Sequence, residues 1–93
     1  MRACRVDNSH GPIRDVLEAH GWTVLSLAAV GDGCPDLLCH APGSSDLHLI
    51  ECKTPGNLRP HSETAKRQAA FAARFPVARL SSVEEAEQWL RSR

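Results

Sequence analysis

Hydrophobic positions in the first third of the chain change from helical to strand spacing at Gly21. Before this glycine, apolar residues recur every three or four positions, which is typical of one face of a helix. The helix side consists of Ile13, Val16, Leu17 and His20. Asn8 or Ser9 can cap this helix, and Pro12 suits its first turn. Gly21 suits the position after its C-terminal end, and Trp22–Ala29 then predicts a strand.

Two further strands are predicted between turns that are rich in glycine, proline and serine. These turns are GDG at 31–33, APGSSD at 41–46 and TPG at 54–56. The apolar residues Leu37–His40 lie between the first two turns, and Leu47–Lys53 lies between the last two. The second run indicates a strand that is buried on at least one side. It ends before the proline of the last turn, because proline cannot continue a hydrogen-bonded ladder.

The last third of the chain predicts a helix, a short strand and a final helix. The first of these helices begins around Ser62 or Thr64 and runs to about Phe75, where Pro76 stops it. We expect its apolar side to comprise Ala65, Ala69, Ala72, Phe75 and the adjacent Phe71, with Gln68 at the border. Val77–Leu80 is the short strand. Ser82 with Glu85 fits a capping box for the final helix, whose buried side is Val83, Ala86, Trp89 and Leu90.

The predicted order is therefore α-β-β-β-α-β-α, which indicates an α/β fold with a small mixed central sheet and flanking helices. Ninety-three residues suit one domain, so we expect 1–93 to form a single unit. So small a core would gain from a partner, and we expect a homodimer.

The chemistry of the chain is concentrated between Gly31 and Pro55. Asp36 stands at the start of one predicted strand, and Glu51 and Lys53 stand near the end of the next. Strand side chains alternate faces, so Glu51 and Lys53 share one face while Cys52 points to the other. Two carboxylates and a lysine at a sheet edge can form a site for a hard cation such as Mg²⁺ or Mn²⁺, which activates water against a phosphate.

The net charge is zero, but the charges are unevenly distributed. Residues 1–52 carry a net charge of −4, residues 53–79 carry +5, and residues 80–93 carry −1. An acidic part followed by a basic part fits metal ligands beside a phosphate-facing surface, although a solvated helix face gives the same pattern.

The cysteine pattern and the absence of a long apolar run favour a reducing, cytoplasmic setting. The four cysteines show no CxxC spacing, and no apolar run reaches the length of a membrane span. A zinc site built on Cys34, Cys39 and His40, or a thiol site that includes Cys52, is a weaker interpretation. Cys39 and His40 are adjacent in a predicted strand and so point to opposite faces.

Several motifs together resemble the VRR-NUC branch of the PD-(D/E)XK nuclease superfamily. Around Asp36 the sequence reads GDGCPDLL, and fourteen residues separate Asp36 from Glu51-Cys52-Lys53 in LIECKTPG. The other motifs are QAAF from Gln68, VARLSSVEEAEQWL at the C-terminal end and VDNSH before the first helix. The similarity extends over nearly the whole chain. It implies a restriction-endonuclease-like fold and metal-dependent hydrolysis of DNA.

The resemblance also implies roles for particular residues. Asp36 and Glu51 would bind Mg²⁺ or Mn²⁺ together with the backbone carbonyl of Cys52. Lys53 would orient the attacking water, and Gln68 would hold a site water or contact the phosphate. Many relatives carry a further acid on the first helix. Here the candidate for that acid is Asp7, just before the helix, with Asp15 and Glu18 as alternatives.

We expect the basic residues after the site strand to contact DNA. They are Arg59, Lys66, Arg67 and Arg74. The resemblance implies a small DNA endonuclease of the kind found in bacteria and phages, with selectivity for branched or flap DNA. The alternative is a catalytically silent nuclease-like module that binds DNA or another protein.

Overall fold

The computed structural model describes residues 10–31, 33–53 and 62–93, and the predicted order of elements is confirmed there. The helices are α1 (His10–Ala19), α2 (Glu63–Ala72) and α3 (Val83–Arg91). The strands are β1 (Thr23–Ser26), β2 (Leu37–His40), β3 (His48–Cys52) and β4 (Val77–Leu80). β2 and β4 have the predicted bounds, whereas β1 is shorter than expected. The predicted caps of α1, Asn8 and Ser9, lie outside the described residues.

The four strands form one sheet in the order β1-β2-β3-β4. β1, β2 and β3 pair antiparallel, and β4 pairs parallel with β3. A parallel pair requires a crossover connection, and α2 lies within it. Because of these directions, the start of β2 and the ends of β3 and β4 meet at one edge of the sheet.

One face of the sheet, which we call the core face, packs against α1 and α3. The buried apolar residues of this core are Ile13, Leu17, Trp22, Val24, Leu37, Cys39, Ile50, Cys52, Leu80 and Ala86. The predicted faces of α1 and α3 agree with this arrangement, except that His20 is exposed. Its ring bonds to the carbonyl of Val16 instead.

The opposite face, which we call the site face, carries a row of apolar side chains across all four strands. The register aligns Leu25 with Leu38, Leu38 with Leu49, and Leu49 with Val77. Glu51 lies two residues after Leu49 and therefore shares this face. The sheet thus separates a packed hydrophobic side from a side on which charged groups lie.

The predicted capping box of α3 is half formed. The Ser82 hydroxyl accepts a hydrogen bond from the backbone N–H of Glu85 at 3.1 Å, as expected. The Glu85 carboxylate, however, accepts from the backbone and hydroxyl of Ser81, at 2.7 and 2.8 Å. The bond from the Ser81 backbone N–H, followed by that from its hydroxyl, lowers the pKa of Glu85.

The predicted apolar side of α2 is wrong for three of its five residues. Ala69, Ala72 and Phe75 are exposed, whereas Gln68 and Phe71 are half-buried, and α2 has no fully buried residue. The helix also ends at Ala72, before Phe75. The physical reason is that a polar contact made by Gln68 determines which side of α2 faces the sheet.

Within the described ranges, none of the helices combines the length and apolar character needed to cross a membrane.

Candidate active site

Asp36 is held at the sheet edge by its backbone and by its side chain. Its carbonyl accepts a hydrogen bond from the N–H of Leu27 at 2.7 Å. Its Oδ2 accepts from the backbone N–H of Cys52 at 2.8 Å, so the carboxylate lies against the end of β3. The preceding Pro35 is fully buried. The turn therefore fixes one carboxylate beside the strand that carries the second.

Glu51 is a buried carboxylate on the site face, with only 5% of its surface exposed. Burial raises its pKa from 4.5 to about 7, and the negative charge of Asp36 contributes to the rise. The positive charges of Lys53 and Arg79 act in the opposite direction. Near neutral pH this group therefore exchanges a proton far more readily than an ordinary glutamate.

Gln68 connects the second carboxylate to the lysine. Its Nε2 donates to Glu51 Oε2 at 2.8 Å, and its Oε1 accepts from Lys53 Nζ at 2.8 Å. An ammonium can only donate, so the orientation of the amide follows from its partners. Lys53 Nζ also lies 3.7 Å from Glu51 Oε2. Gln68 of α2 thus fixes the carboxylate of Glu51, in β3, relative to the ammonium of Lys53, which follows that strand.

Gly33 sets the distance between the loop before β2 and the helix that carries Gln68. Its φ is +77°, in the left-handed region that favours glycine. A Cβ atom here would lie 2.4 Å from the carbonyl carbon of Arg67 and 2.5 Å from its oxygen. The loop therefore contacts the backbone of α2 directly, one residue before Gln68.

The structure brings Asp36, Glu51, Lys53 and Gln68 together, as the sequence motifs predicted. Asp7 and Arg59 lie outside the described residues. The two alternatives for Asp7 are exposed on α1, and one of them, Glu18, bonds to Arg14 at 3.4 Å. Neither is among the charges that shift the pKa of Glu51.

The basic residues in α2 and just after it that were predicted to bind DNA are exposed. Lys66 lies 3.7 Å from Glu63 within the same helix, and the guanidinium of Arg74 lies 5.6 Å from the centre of the Phe75 ring. Arg67 contributes its backbone to the contact with Gly33 and is otherwise exposed. Their participation in binding stays a prediction.

Two residues near the carboxylates were not assigned to this site from the sequence. Arg79 pairs in register with Glu51 on the neighbouring strand. Cys34 lies close enough to Asp36 and Glu51 that both carboxylates, after burial, raise the pKa of its thiol. The pairing of β4 with β3 could have revealed Arg79, because parallel pairing brings the ends of both strands to the same edge.

The donor atoms present fit a hard divalent cation. Mg²⁺ keeps several waters and is commonly held by one or two carboxylates, which is what Asp36 and Glu51 offer. Burial raises the pKa of Glu51, and the negative charge of Asp36 adds to the rise, which is an electrostatic condition that a bound cation relieves. Within residues 10–31, 33–53 and 62–93, no cluster of three His, Cys, Asp or Glu side chains is placed to hold a metal.

The zinc and thiol interpretations find no support in that part of the chain. Cys39 lies in the core, where burial raises its pKa to about 11, so its thiol stays protonated and is a poor ligand. His40 faces away from it and bonds to the carbonyl of Ala41. Cys34 and Cys39 are free thiols.

A known protein resembles this chain in structure rather than in sequence. No family model matches the sequence, and no curated protein matches it significantly. Among solved structures, the chain is similar to one described as a VRR_NUC domain, with a TM-score of 0.61 and 24% identity. The similarity covers 87% of this chain and 88% of the other. The chain has the VRR_NUC fold.

The VRR_NUC fold accounts for the placement of the four site residues. Its sheet edge brings the start of β2 beside the end of β3, and its crossover helix α2 lies over the site face. The predicted fold class is therefore confirmed, and the four polar residues meet where this VRR_NUC fold brings its elements together.

We expect replacement of Gln68 by alanine to weaken the site without unfolding the protein. The loss removes the bonds to both Glu51 and Lys53, and residues that orient metal-binding side chains typically contribute about 10- to 100-fold to affinity or activity. Mn²⁺ affinity by calorimetry and DNA cleavage rates measure the effect. Gln88→Ala, at an exposed glutamine of α3, is the control. Equal affinities and rates in both variants would contradict the assigned role.

Proposed function

We propose that this chain is a divalent-metal-dependent DNA endonuclease of VRR-NUC type, within the PD-(D/E)XK superfamily. The observation that carries the proposal is the hydrogen-bonded chain from Glu51 through Gln68 to Lys53, adjacent to Asp36. Burying a carboxylate beside a lysine lowers the stability of the fold, because both charges lose hydration. Groups arranged at such a cost are typical of functional sites. The VRR_NUC fold supports the same assignment.

In this proposal Asp36 and Glu51 hold Mg²⁺ or Mn²⁺ through their carboxylate oxygens, with the carbonyl of Cys52 as a further ligand. The bound ion would supply Lewis acidity, which lowers the pKa of water and offsets negative charge on phosphate oxygens. Asp7, where it joins the site, would add a carboxylate. The remaining chemistry belongs to side chains of the chain itself.

Lys53 orients the attacking water and offsets the charge that develops on the phosphate. Its ammonium is half-buried and already directed by Gln68, so little reorganisation is needed when substrate arrives. Gln68 keeps the ammonium at a fixed position relative to Glu51. The burial of Glu51 limits access of bulk water to the carboxylate, which strengthens every electrostatic contact that it makes.

The proposed substrate is the DNA backbone, with selectivity for branched or flap structures. The exposed cations in α2 and just after it are available for phosphate contacts, and such contacts would make the affinity fall steeply with salt. They are Lys66, Arg67 and Arg74, with Arg59 in the preceding segment. We place the activity in the cytoplasm of a bacterial or phage-infected cell, where free thiols stay reduced.

We further propose that the chain acts as a homodimer. Leu25 is 57% exposed at the end of the apolar row on the site face, and Leu47 is 64% exposed. A second copy that covers these side chains would remove apolar surface from water and provide two active sites. Light scattering after size exclusion should give twice the monomer mass at micromolar concentration. A monomer mass there would count against the dimer.

Cleavage assays on defined DNAs test the central proposal. Labelled single-strand, duplex, flap and four-way-junction DNA are incubated with Mg²⁺, Mn²⁺ or EDTA, using the wild-type protein and Asp36→Asn. We expect cutting only with a divalent ion, and a loss of about a thousand-fold or more in Asp36→Asn because one metal-binding carboxylate is gone. Asp46→Asn changes an exposed aspartate in a turn and should cut normally.

A folded protein that binds DNA but cuts none of these substrates would favour the silent-module alternative. Normal cutting by Asp36→Asn would remove the site assignment itself.

A further inference from the structure

Arg79 is placed beside the second carboxylate by the strand register. It is the partner of Glu51 in the parallel pairing of β4 with β3, so both side chains emerge on the site face. Glu51 is buried, whereas Arg79 is exposed. The arginine thus stands at the rim of the site, on the edge strand, with the carboxylate on its inner side.

Arg79 and Lys53 are both cations near Glu51, but their side-chain contacts differ. Lys53 bonds to Gln68 and lies 3.7 Å from Glu51. Within the described ranges, the side chain of Arg79 forms neither a hydrogen bond nor an ion pair. Its register partner is Glu51, and neighbouring strands lie about 4.7–4.9 Å apart, so the guanidinium is within reach of the site. Its donors therefore remain available to a ligand.

A phosphate that approaches two carboxylates is repelled by both, and a cation at the rim reduces this repulsion. A guanidinium presents a planar fork of N–H donors that matches two phosphate oxygens, which an ammonium cannot do. If Arg79 served only to neutralise Glu51, we would expect it at ion-pair distance from this carboxylate. It is Lys53 that forms this ion pair, at 3.7 Å.

We propose that Arg79 contacts a phosphate of the DNA backbone next to the bond that is cut, and so positions the strand over Asp36 and Glu51. The inference rests on the proposed function, since it adds a substrate contact to the same site. It assigns to β4, the edge strand, a direct part in substrate binding.

DNA binding in EDTA tests this contact without cleavage. Fluorescence anisotropy of a labelled oligonucleotide is measured from 50 to 300 mM NaCl, about the range in which phosphate contacts are resolved. We expect Arg79→Ala to weaken binding about tenfold and to reduce the slope of log affinity against log salt by about one. Arg79→Lys should restore the slope, because it keeps the charge, but recover only part of the affinity.

Arg91→Ala is the matched control, because it removes an exposed arginine from α3, the helix on the opposite face. It should bind as the wild type does. Circular dichroism checks that every variant is folded. In the cleavage reaction, Arg79→Ala should raise KM more than it lowers kcat, since the chemistry is left to the other side chains.

The outcomes separate the two proposals. If the wild type cuts DNA and Arg79→Ala binds with unchanged affinity and salt slope, the contact is wrong and the nuclease stands. If the wild type binds with an Arg79-dependent slope but never cuts, Arg79 contacts a DNA phosphate, but the nuclease and the placement of that phosphate beside a cut bond are both wrong. If the wild type neither binds nor cuts any DNA, both proposals are overturned.

Discussion

Replacement of Glu51 by glutamine is expected to abolish cleavage and, in the same protein, to raise the free energy of unfolding at pH 8. The loss of activity follows because Glu51 is one of the two carboxylates that we propose to hold the metal. Several kcal/mol of transition-state stabilisation correspond to about a thousand-fold in rate. The gain in stability follows from burial. A glutamine amide can still accept the hydrogen bond from Gln68 but carries no charge to desolvate.

The stability effect depends on pH in a defined direction. The Glu51 carboxyl ionises near pH 4.5 in the unfolded chain and near pH 7 in the folded one. Between these values the folded protein keeps a proton that the unfolded chain has released. The free energy of unfolding therefore falls as the pH rises through this window, by roughly 3 kcal/mol at most. The fall is complete above pH 7 and absent below pH 4.5.

Urea unfolding of the metal-free proteins at pH 5 and pH 8 measures this difference. Fluorescence of Trp22 and Trp89, whose rings lie 5.2 Å apart, reports the transition. The free energy of unfolding of Glu51→Gln should exceed that of the wild type by about 1–3 kcal/mol at pH 8, and the two should be similar at pH 5. Glu84→Gln, at an exposed glutamate of α3, should differ by less than about 0.5 kcal/mol at both values. A lower stability of Glu51→Gln at pH 8 would refute the argument.

Replacement of Gly33 by alanine should remove activity while leaving the core folded. The new Cβ would meet the backbone of Arg67 at 2.4 and 2.5 Å, and no rotamer change relieves a backbone collision. α2 lacks a fully buried residue, so we expect the helix to move rather than the core to unfold. Its displacement would carry Gln68 away from Glu51 and Lys53, with a loss of about a hundred-fold in kcat/KM.

Gly31 provides a close control for this experiment. Its φ of +78° matches that of Gly33, but nothing lies within 4 Å of the position its Cβ would take. Gly31→Ala should therefore cost about 1–2 kcal/mol for the left-handed backbone and keep near-normal activity. Hydrogen exchange should be faster in α2 only in Gly33→Ala. Equal activity in the two variants would show that the contact with Arg67 does not position the helix.

The sequence was sufficient for the elements whose signals are local. The bounds of β2 and β4 follow from apolar runs between turn residues, and the cap at Ser82 follows from its hydroxyl and spacing. Three of the site residues, Asp36, Glu51 and Lys53, also came from strand alternation and turn position. These features require only neighbours in the chain.

The features that could not be predicted from the sequence depend on contacts between distant segments of the chain. The rotation of α2 could not be read from its alanines, because the contact that orients it is the polar bond from Gln68 to β3. The role of Gly33 depends on the backbone of Arg67, and that of Arg79 on the register of β4 with β3. None of these contacts leaves a periodic pattern in either segment alone.

The way in which α2 is attached to the sheet determines how the protein responds to warming. The helix is attached to the site face through a polar bridge and a glycine contact, whereas α1 and α3 share the apolar core. The connection of α2 to the sheet should therefore melt at a lower temperature than the sheet itself. The protein would then lose activity on warming while its tryptophans still report a folded core. Because α2 is joined in the chain to β3 on one side and β4 on the other, that activity should return on cooling.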